Sequence, residues 1–400
     1  MIKAPRGTHD LLPAEQPRWR AVTGAMETVC ALYGYRRIDT PGIEDTELIL
    51  RTSGEGSDVV QKETYTFQDR GGRSLTLRPE GTAPICRAYL EHGLTREPQP
   101  QKLYTIAPMW RYDRPQKGRY REHWQLSVEA IGSDDPAIDA EVIQLYVELL
   151  RRLGISGYEL RLNSIGDQAC RPAYVERLSA WLDENDDRLD DEARAKRRTT
   201  PLRVFDVKSE RVQAALKDAP TIGDSLCEPC REHFARVRAY LDAYGIEYVL
   251  TPTLVRGLDY YTRTTFEFHE DTQLLGGGRY DGLVEEIGGP PTPAIGFGAG
   301  VERLLLSAGP LDGQEPGIDV FFACEDEAPR ERVVALMAEL RRRGTSCDAD
   351  YAGRSLKGQL TQAGRLGAAT TVIVRAGDAL VRRHGMEDEV VELDALGDML

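Results

Sequence analysis

Apolar residues recur at helical spacing over residues 13–33, where Trp19, Val22, Met26, Val29 and Leu32 share one side and Pro13 stands near the start. A second amphipathic helix is predicted over 136–153 from Ile138, Val142, Ile143, Leu145, Leu149 and Leu150. Between them the pattern shortens to strand-like runs. These are Glu63–Phe67 and Leu75–Leu77, bounded by the turn Asp69–Gly72, and later Tyr158–Leu162, Tyr248–Leu250 and Thr264–Phe268. Over 167–245 helical segments rich in Arg, Asp and Glu predominate. Their most charged stretch, Asp183–Arg198, reads as a solvated face, either a charged helix or part of an inserted helical module. The stretch Ala308–Gly317 has a linker's composition. Beyond it, Ile318–Ala323, a helix carrying Val333, Val334, Met337 and Leu340, a helical region near 355–365 and the strand Thr371–Val374 alternate as in a small α/β domain.

The chain has 400 residues, 41% hydrophobic and 29% charged, which suits a globular protein of two or three domains. No apolar run approaches the roughly 18–20 residues of a membrane span, and the start lacks the apolar core of a signal peptide, so a cytoplasmic protein is expected. The net charge of −14 argues against a protein that coats nucleic acid through bulk charge. Seven scattered cysteines suit a reducing compartment better than a disulfide framework. Only Cys227 and Cys230 stand at a suggestive spacing. With His233 they reach three of the four ligands a zinc site needs, so no metal is assigned.

Four clusters concentrate chemistry. Arg78-Pro-Glu-Gly-Thr82 can present a carboxylate and a hydroxyl suited to a ligand ammonium group, though a charged turn is the plainer reading. From Arg111 to Glu129 the chain reads as strand, loop, strand. Lys102, Arg111, Arg114, Lys117, Arg119 and Arg121 make a local positive patch there, suited to polyphosphate or a nucleic-acid end. On the return strand Gln125, Ser127 and Glu129 alternate onto one face, which implies a polar pocket. In Leu254–Arg263, a glycine follows Arg256, and Tyr260 and Tyr261 offer ligand-orienting hydroxyls or a packed pair. Finally, Gly276–Gly282, which alone could be a hairpin turn, is joined by Gly296–Arg303, a glycine-rich strand entering a helix, where adenine could lie flat and Arg303 could reach phosphate. Neither is a P-loop or a convincing dinucleotide fingerprint.

In these motifs the sequence resembles the class II aminoacyl-tRNA synthetases, specifically the histidyl-tRNA synthetase family, over nearly its whole length. Pro5–Asp10 is similar to the family's N-terminal signature, Thr40–Glu44 to motif 1, 111–129 to motif 2 and 294–305 to motif 3. Arg256–Tyr261 and Gly276–Asp281 look like the two peptides peculiar to histidine recognition. The resemblance implies an α+β fold with an antiparallel catalytic sheet flanked by helices (1–166 and 246–307). It further implies a helical insertion (167–245), a linker (308–317) and an α/β anticodon-binding domain (318–400).

Carried over residue by residue, it implies that Glu80, Gly81 and Thr82 hold the histidine amino group, completed by Gln125 and Glu129. Tyr260, Tyr261 and Tyr280 would line the imidazole pocket. Arg111 and Arg256 would meet the reacting carboxylate and α-phosphate. Arg119 and Arg121 would reach ATP phosphates, and Arg303 the γ-phosphate. Arg256, Arg111 and Arg303 are thus the expected catalytic residues. Implied partners are L-histidine, ATP as substrate with Mg²⁺, tRNA(His) and, through motif 1, a second copy of the chain. The chain departs from the family's pattern at Glu122-His-Trp124, at Ser127 and after Val374. The main rival is a synthetase paralogue that regulates ATP phosphoribosyltransferase. It lacks the anticodon domain, whereas a segment at 318–400 is present here. A prolyl or threonyl enzyme is disfavoured by the two histidine peptides.

Overall fold

In a computed structural model, the alternation read at 125–130 becomes the strand Glu122–Ile131. Leu126, Val128 and Ala130 enter the main apolar core, while Gln125, Ser127 and Glu129 are buried on the opposite face. The structure describes residues 2–53, 63–258, 260–270, 272–311, 317–325 and 328–400. The chain divides into two compact units, Met1–Gly313 and Gln314–Leu400.

The first unit is organised by an eight-stranded sheet. In spatial order its strands are Arg36–Arg37, Gln101–Trp110, Glu122–Ile131, Ala294–Gly300, Gln273–Arg279, Thr262–His269, Glu159–Ser164 and Val249–Leu250. The six inner strands are antiparallel and the two short edge strands pair in parallel. Helices Gln16–Leu32, Pro136–Arg152 and Glu228–Ala243 contribute Met26, Tyr146 and Val237 to the core on one face, against Phe266, Phe268 and Phe297. Asp135 starts the second helix by accepting the Ala137 N–H at 2.9 Å. Leu32 ends the first helix exposed rather than on the buried side, because Tyr33 and Tyr35 close that corner of the core.

One charge pair lies inside this core. Arg279 and Asp139 have no solvent exposure, and the guanidinium reaches the carboxylate at 2.5 and 3.1 Å, the Ser133 carbonyl at 2.9 Å and Asp281 at 3.1 Å. His233 sits beside the pair, 3.6 Å from Asp139. It is therefore not placed as a third ligand with Cys227 and Cys230.

The 167–245 segment has its own apolar cluster around Tyr174, Leu178, Leu182, Val204 and Leu216. The charged stretch within it is two helices, Arg171–Glu184 and Asp191–Thr199, because Asp190 accepts the Ala193 N–H and caps a new start. Arg194 and Arg197 then pair with Asp186 at 3.2 and 3.0 Å. The helix Glu228–Ala243 belongs to both parts, with Cys230 in the insertion cluster and Val237 and Leu241 in the main core.

In the second unit, Cys347–Ala349, Val320–Cys324 and Thr370–Val374 are parallel, and Asp378–Arg383 and Glu389–Glu392 extend the sheet antiparallel. The three strands beyond those expected are short or amphipathic, and Val334 is exposed on its helix. Of the linker expected at 308–317, residues 312–316 lie outside the described residues.

Candidate active site

The inward register of the inner strands builds a cavity of about 200 Å³ on the sheet face opposite the helices. It is closed at one end by carboxylates and tyrosines and lined at the other by arginines. The strand Ala294–Gly300 forms its floor because two glycines remove side chains there. A Cβ on Gly296 would lie 1.8 Å from Glu129 Oε2, and one on Gly298 would lie 2.7 Å from Gln125 Nε2. Glu129 and Gln125 thus lie across backbone, which only glycine permits.

At the acidic end, Glu80 immediately precedes the helix Thr82–Glu91 and its Gly81 cap. Its two oxygens accept the Ala83 and Thr82 N–H groups at 2.8 and 2.7 Å. Thr82 Oγ1 donates to Glu129 Oε1 at 2.7 Å, and the Tyr280 hydroxyl donates to Glu129 Oε2 at 2.5 Å. Gln125 Nε2 donates to Ser127 Oγ at 2.9 Å, which gives the unusual Ser127 a structural partner. No basic side chain pairs with Glu80 or Glu129 among the described residues. Burial pushes both carboxyls above the usual range, Glu129 well above it, despite these hydrogen bonds. A cationic group of a ligand would supply the missing charge. Tyr260 packs against Tyr261 and Tyr280, with ring centres 4.6 and 5.7 Å away.

At the other end, Arg111 is oriented by the Pro79 carbonyl at 2.8 Å, and Arg119 pairs with Asp113. Arg303 is oriented by the Gln273 and Gly118 carbonyls at 2.6 and 3.3 Å. Burial, with Arg119 and Arg111 close by, lowers the Arg303 pKa. Burial and the field of Arg111, Arg303 and Arg119 push His123 down to about 3, so its ring is neutral at physiological pH. Arg111 and Arg303 have only carbonyl oxygens for partners among the described residues, and positive charge of this density suits a polyanion. Arg256 bridges the two ends. It pairs with Glu267 and lies 5.8 Å from the centre of the Tyr261 ring.

The cavity wall therefore brings together Glu80, Thr82, Arg111, Arg119, Gln125, Arg256, Tyr260, Tyr261 and Arg303. Glu129 and Tyr280 lie just beneath it, fully buried. Arg121 is not on the wall. Its guanidinium stacks 3.7 Å over the Tyr112 ring and its stem packs against Gly7, so the loop's own turn carries it away from the cavity. Asp259, within the motif 256–261, lies outside the described residues.

The sequence reading missed Glu267 and Glu302. Glu267 was detectable, because Thr265, Glu267 and His269 alternate with the core residues Phe266 and Phe268. Glu302 adjoins Arg303 on the helix Val301–Ser307. Its carboxylate accepts the Trp124 N–H at 2.9 and 3.1 Å, and burial raises its pKa to about 7.

A glycine-floored antiparallel sheet that sets an acidic recess beside an arginine wall offers one cavity to a cationic group and a polyanion, the combination a class II synthetase needs. The histidyl-tRNA synthetase family model matches residues 7–304. A histidine–tRNA ligase of Desulforudis audaxviator is 48% identical, covering 96% of this chain and 94% of the relative. One of Halothermothrix orenii is 44% identical, covering 100% and 99%. Among solved structures, apo S. aureus histidyl-tRNA synthetase is 38% identical with TM-score 0.82, covering 100% of this chain and 99% of that one. An ATP phosphoribosyltransferase regulatory subunit/histidyl-tRNA synthetase from Bacillus halodurans shares the fold at 24% identity and TM-score 0.64, covering 90% and 96%. The chain belongs to the histidyl-tRNA synthetase family.

Proposed function

We infer that this chain is a histidine–tRNA ligase, and the observation that carries the reading is the single cavity joining an uncompensated acidic recess to an arginine wall. Histidine fits with its ammonium group toward Glu80, Thr82 and Gln125 and its ring among Tyr260, Tyr261 and Tyr280. Glu129 is bonded to both Thr82 and Tyr280 and so addresses both ends of the amino acid. The carboxylate then points toward Arg256 and Arg111.

One carboxylate oxygen attacks the α-phosphorus of ATP. The bond from that phosphorus to the bridging oxygen breaks, and pyrophosphate leaves with the electron pair. Both reactants are anionic, so positioning and cationic stabilisation by Arg256, Arg111, Arg119 and Arg303 supply the catalysis. In the second step the terminal ribose hydroxyl of tRNA(His) attacks the histidyl carbonyl, the carbonyl–phosphate bond breaks, and AMP departs with the hydroxyl proton on its phosphate. No protein nucleophile is needed.

Mg²⁺ bound with ATP would neutralise phosphate charge. Glu302 is the carboxylate that fits it, since it lines the cavity and has no ion-pair partner among the described residues.

The exposed Ile43, Leu50 and Phe67, in and beside the segment similar to motif 1, support a homodimer through that face. The Gln314–Leu400 unit is proposed to read the anticodon. No helix among the described residues is long and apolar enough to cross a membrane, which accords with a cytoplasmic enzyme. Pyrophosphate exchange into ATP tests the reading. Exchange with histidine, and with no other standard amino acid, is expected. Absence of exchange with histidine would refute it and leave a regulatory paralogue.

A further inference from the structure

We propose that Asp167, Cys170, Cys227 and Cys230 form a tetrahedral Zn²⁺ site that fastens the two ends of the 167–245 insertion to each other. Asp167 and Cys170 lie where the chain leaves the strand Glu159–Ser164, and Cys227 and Cys230 lie where the helix Glu228–Ala243 begins to lead it back. Sixty residues separate the pairs in sequence, yet their ligating atoms all lie within 4.8 Å of one another. Cys170 Sγ is 3.6 Å and Cys227 Sγ 3.9 Å from Asp167 Oδ1. Tetrahedral zinc with Zn–S near 2.3 Å and Zn–O near 2.0–2.2 Å sets its ligands about 3.5–3.8 Å apart, so the cluster needs to contract by at most about 1 Å.

The local backbone is shaped for this cluster. Each pair has the same x-x spacing, Asp167-x-x-Cys170 and Cys227-x-x-Cys230. Gly166 turns the first pair with φ +64°, and a Cβ there would lie 2.6 Å from Cys170 Sγ. Cys170 and Cys227 stand at the N-caps of the helices Arg171–Glu184 and Glu228–Ala243, which fixes where both thiols sit. All seven cysteines are free thiols, Cys170 and Cys230 are buried, and Cys227 is half-buried, leaving an approach for the ion. Three sulfurs and one carboxylate select zinc over magnesium or calcium. Arg263 donates to the other oxygen of Asp167 at 3.3 Å, fixing the carboxylate as an outer partner does in zinc proteins.

The consequence reaches the active site. Arg263 N–H donates to the Gly166 carbonyl at 2.7 Å, and Ile165 N–H donates to the Arg263 carbonyl at 2.8 Å. Arg171, next to Cys170, donates to the Tyr261 carbonyl at 2.6 Å. An ion here would hold the backbone behind Tyr261 as well as the root of the insertion.

The test is elemental analysis of the full-length chain purified without added metal or chelator, with about one zinc per chain expected. Cobalt exchanged for zinc should give the visible d–d bands and sulfur-to-cobalt charge transfer of a tetrahedral thiolate site. Cys227→Ser should lose most of the zinc. Asp167→Cys, which keeps four ligands, should retain the metal and strengthen the charge-transfer band. A folded wild-type protein that carries no zinc and gives no cobalt thiolate spectrum would overturn the proposal. So would zinc content unchanged in Cys227→Ser, or a disulfide among these cysteines in the protein as isolated.

Discussion

Replacing Glu129 by Gln separates what the acidic recess does for the ligand from what it does for the fold. In the ligand-free chain this carboxyl is fully buried, accepts hydrogen bonds from Thr82 and Tyr280, and has no cation beside it among the described residues. A glutamine has nearly the same shape. Its carbonyl oxygen can accept one hydroxyl, and its amide can donate to the other once that hydroxyl turns. Both contacts survive while the desolvation burden of a carboxylate is removed. Stability without ligand should hold or rise by on the order of 1 kcal/mol. With histidine bound, the loss is a charge-assisted hydrogen bond to a cationic ligand group, about 1.5–3 kcal/mol. Histidine affinity should therefore fall about 10- to 150-fold. The ATP KM should not move, because the arginine wall is untouched.

Proton linkage adds a sign. The Glu129 pKa is raised on folding, so its contribution to stability is complete below the unfolded value of about 4.3 and is lost as pH rises through the folded value. Glu129→Gln removes that decline, so its advantage over wild type should widen from about pH 5 upward. Thermal melts across pH, with and without histidine, and pyrophosphate exchange at varied histidine and ATP give every number required. A variant more than about 2 kcal/mol less stable with its histidine KM unchanged would refute the reasoning. An ATP KM that rose as much as the histidine KM would do the same.

Three further outcomes follow from the same geometry. Arg279→Ala leaves Asp139 buried and unpaired and should cost about 3–5 kcal/mol in denaturant unfolding, whereas Arg279→Met with Asp139→Leu should recover most of it; a single-variant cost under about 1 kcal/mol would contradict the burial argument. Arg256→Ala should lower the rate of adenylate formation in single turnovers about 10²–10³-fold and change histidine binding far less, and equal losses in both would remove its place at the reacting atoms. Ending the chain at Ala308 should spare pyrophosphate exchange with histidine and cripple charging of tRNA(His), and unchanged charging would dismiss the role given to the second unit.

The return strand Glu122–Ile131 and the site face were legible because their signal is local, whereas the strand Gln101–Trp110 was placed too late along the chain and the glycine-rich Gln273–Arg279 was not read as a strand. Alternation at 125–130 sets which side chains enter the pocket, and the helices at 16–32 and 136–152 keep a plain 3.6-residue period. Pairings remote in sequence were not legible. The peptide 276–281 resembles a histidine-recognition motif, yet its Arg279 faces Asp139 in the core, while its Tyr280 reaches back to Glu129. Cys227 and Cys230 fell one ligand short with His233, since the groups across from them, Asp167 and Cys170, lie sixty positions earlier. The strand Cys347–Ala349 escaped notice because only two of its three residues are buried. Arg121 shows that a basic loop read as one patch need not place every arginine on the cavity wall, since its guanidinium stacks on Tyr112 instead.

The charge of −14 pointed away from a polyanionic partner, and the site explains why that inference failed. Even the Gln314–Leu400 unit carries more acids than bases, with 11 basic and 15 acidic residues from Ile318 onward. Affinity for a triphosphate is decided within a few ångströms, where burial weakens screening and the nearest charges dominate. Burial, with Arg111, Arg119 and Arg303 crowded on one wall, pushes the His123 and Arg303 pKa values down. That mutual repulsion is built into the ligand-free fold and disappears when phosphate oxygens enter. Carbonyls at Pro79, Gln273 and Gly118 hold Arg111 and Arg303 in place meanwhile, so little reorganisation is left for the reaction itself. Surface acids far from the wall are screened by salt and subtract little from it, so a strongly acidic chain and an anion-binding site are compatible.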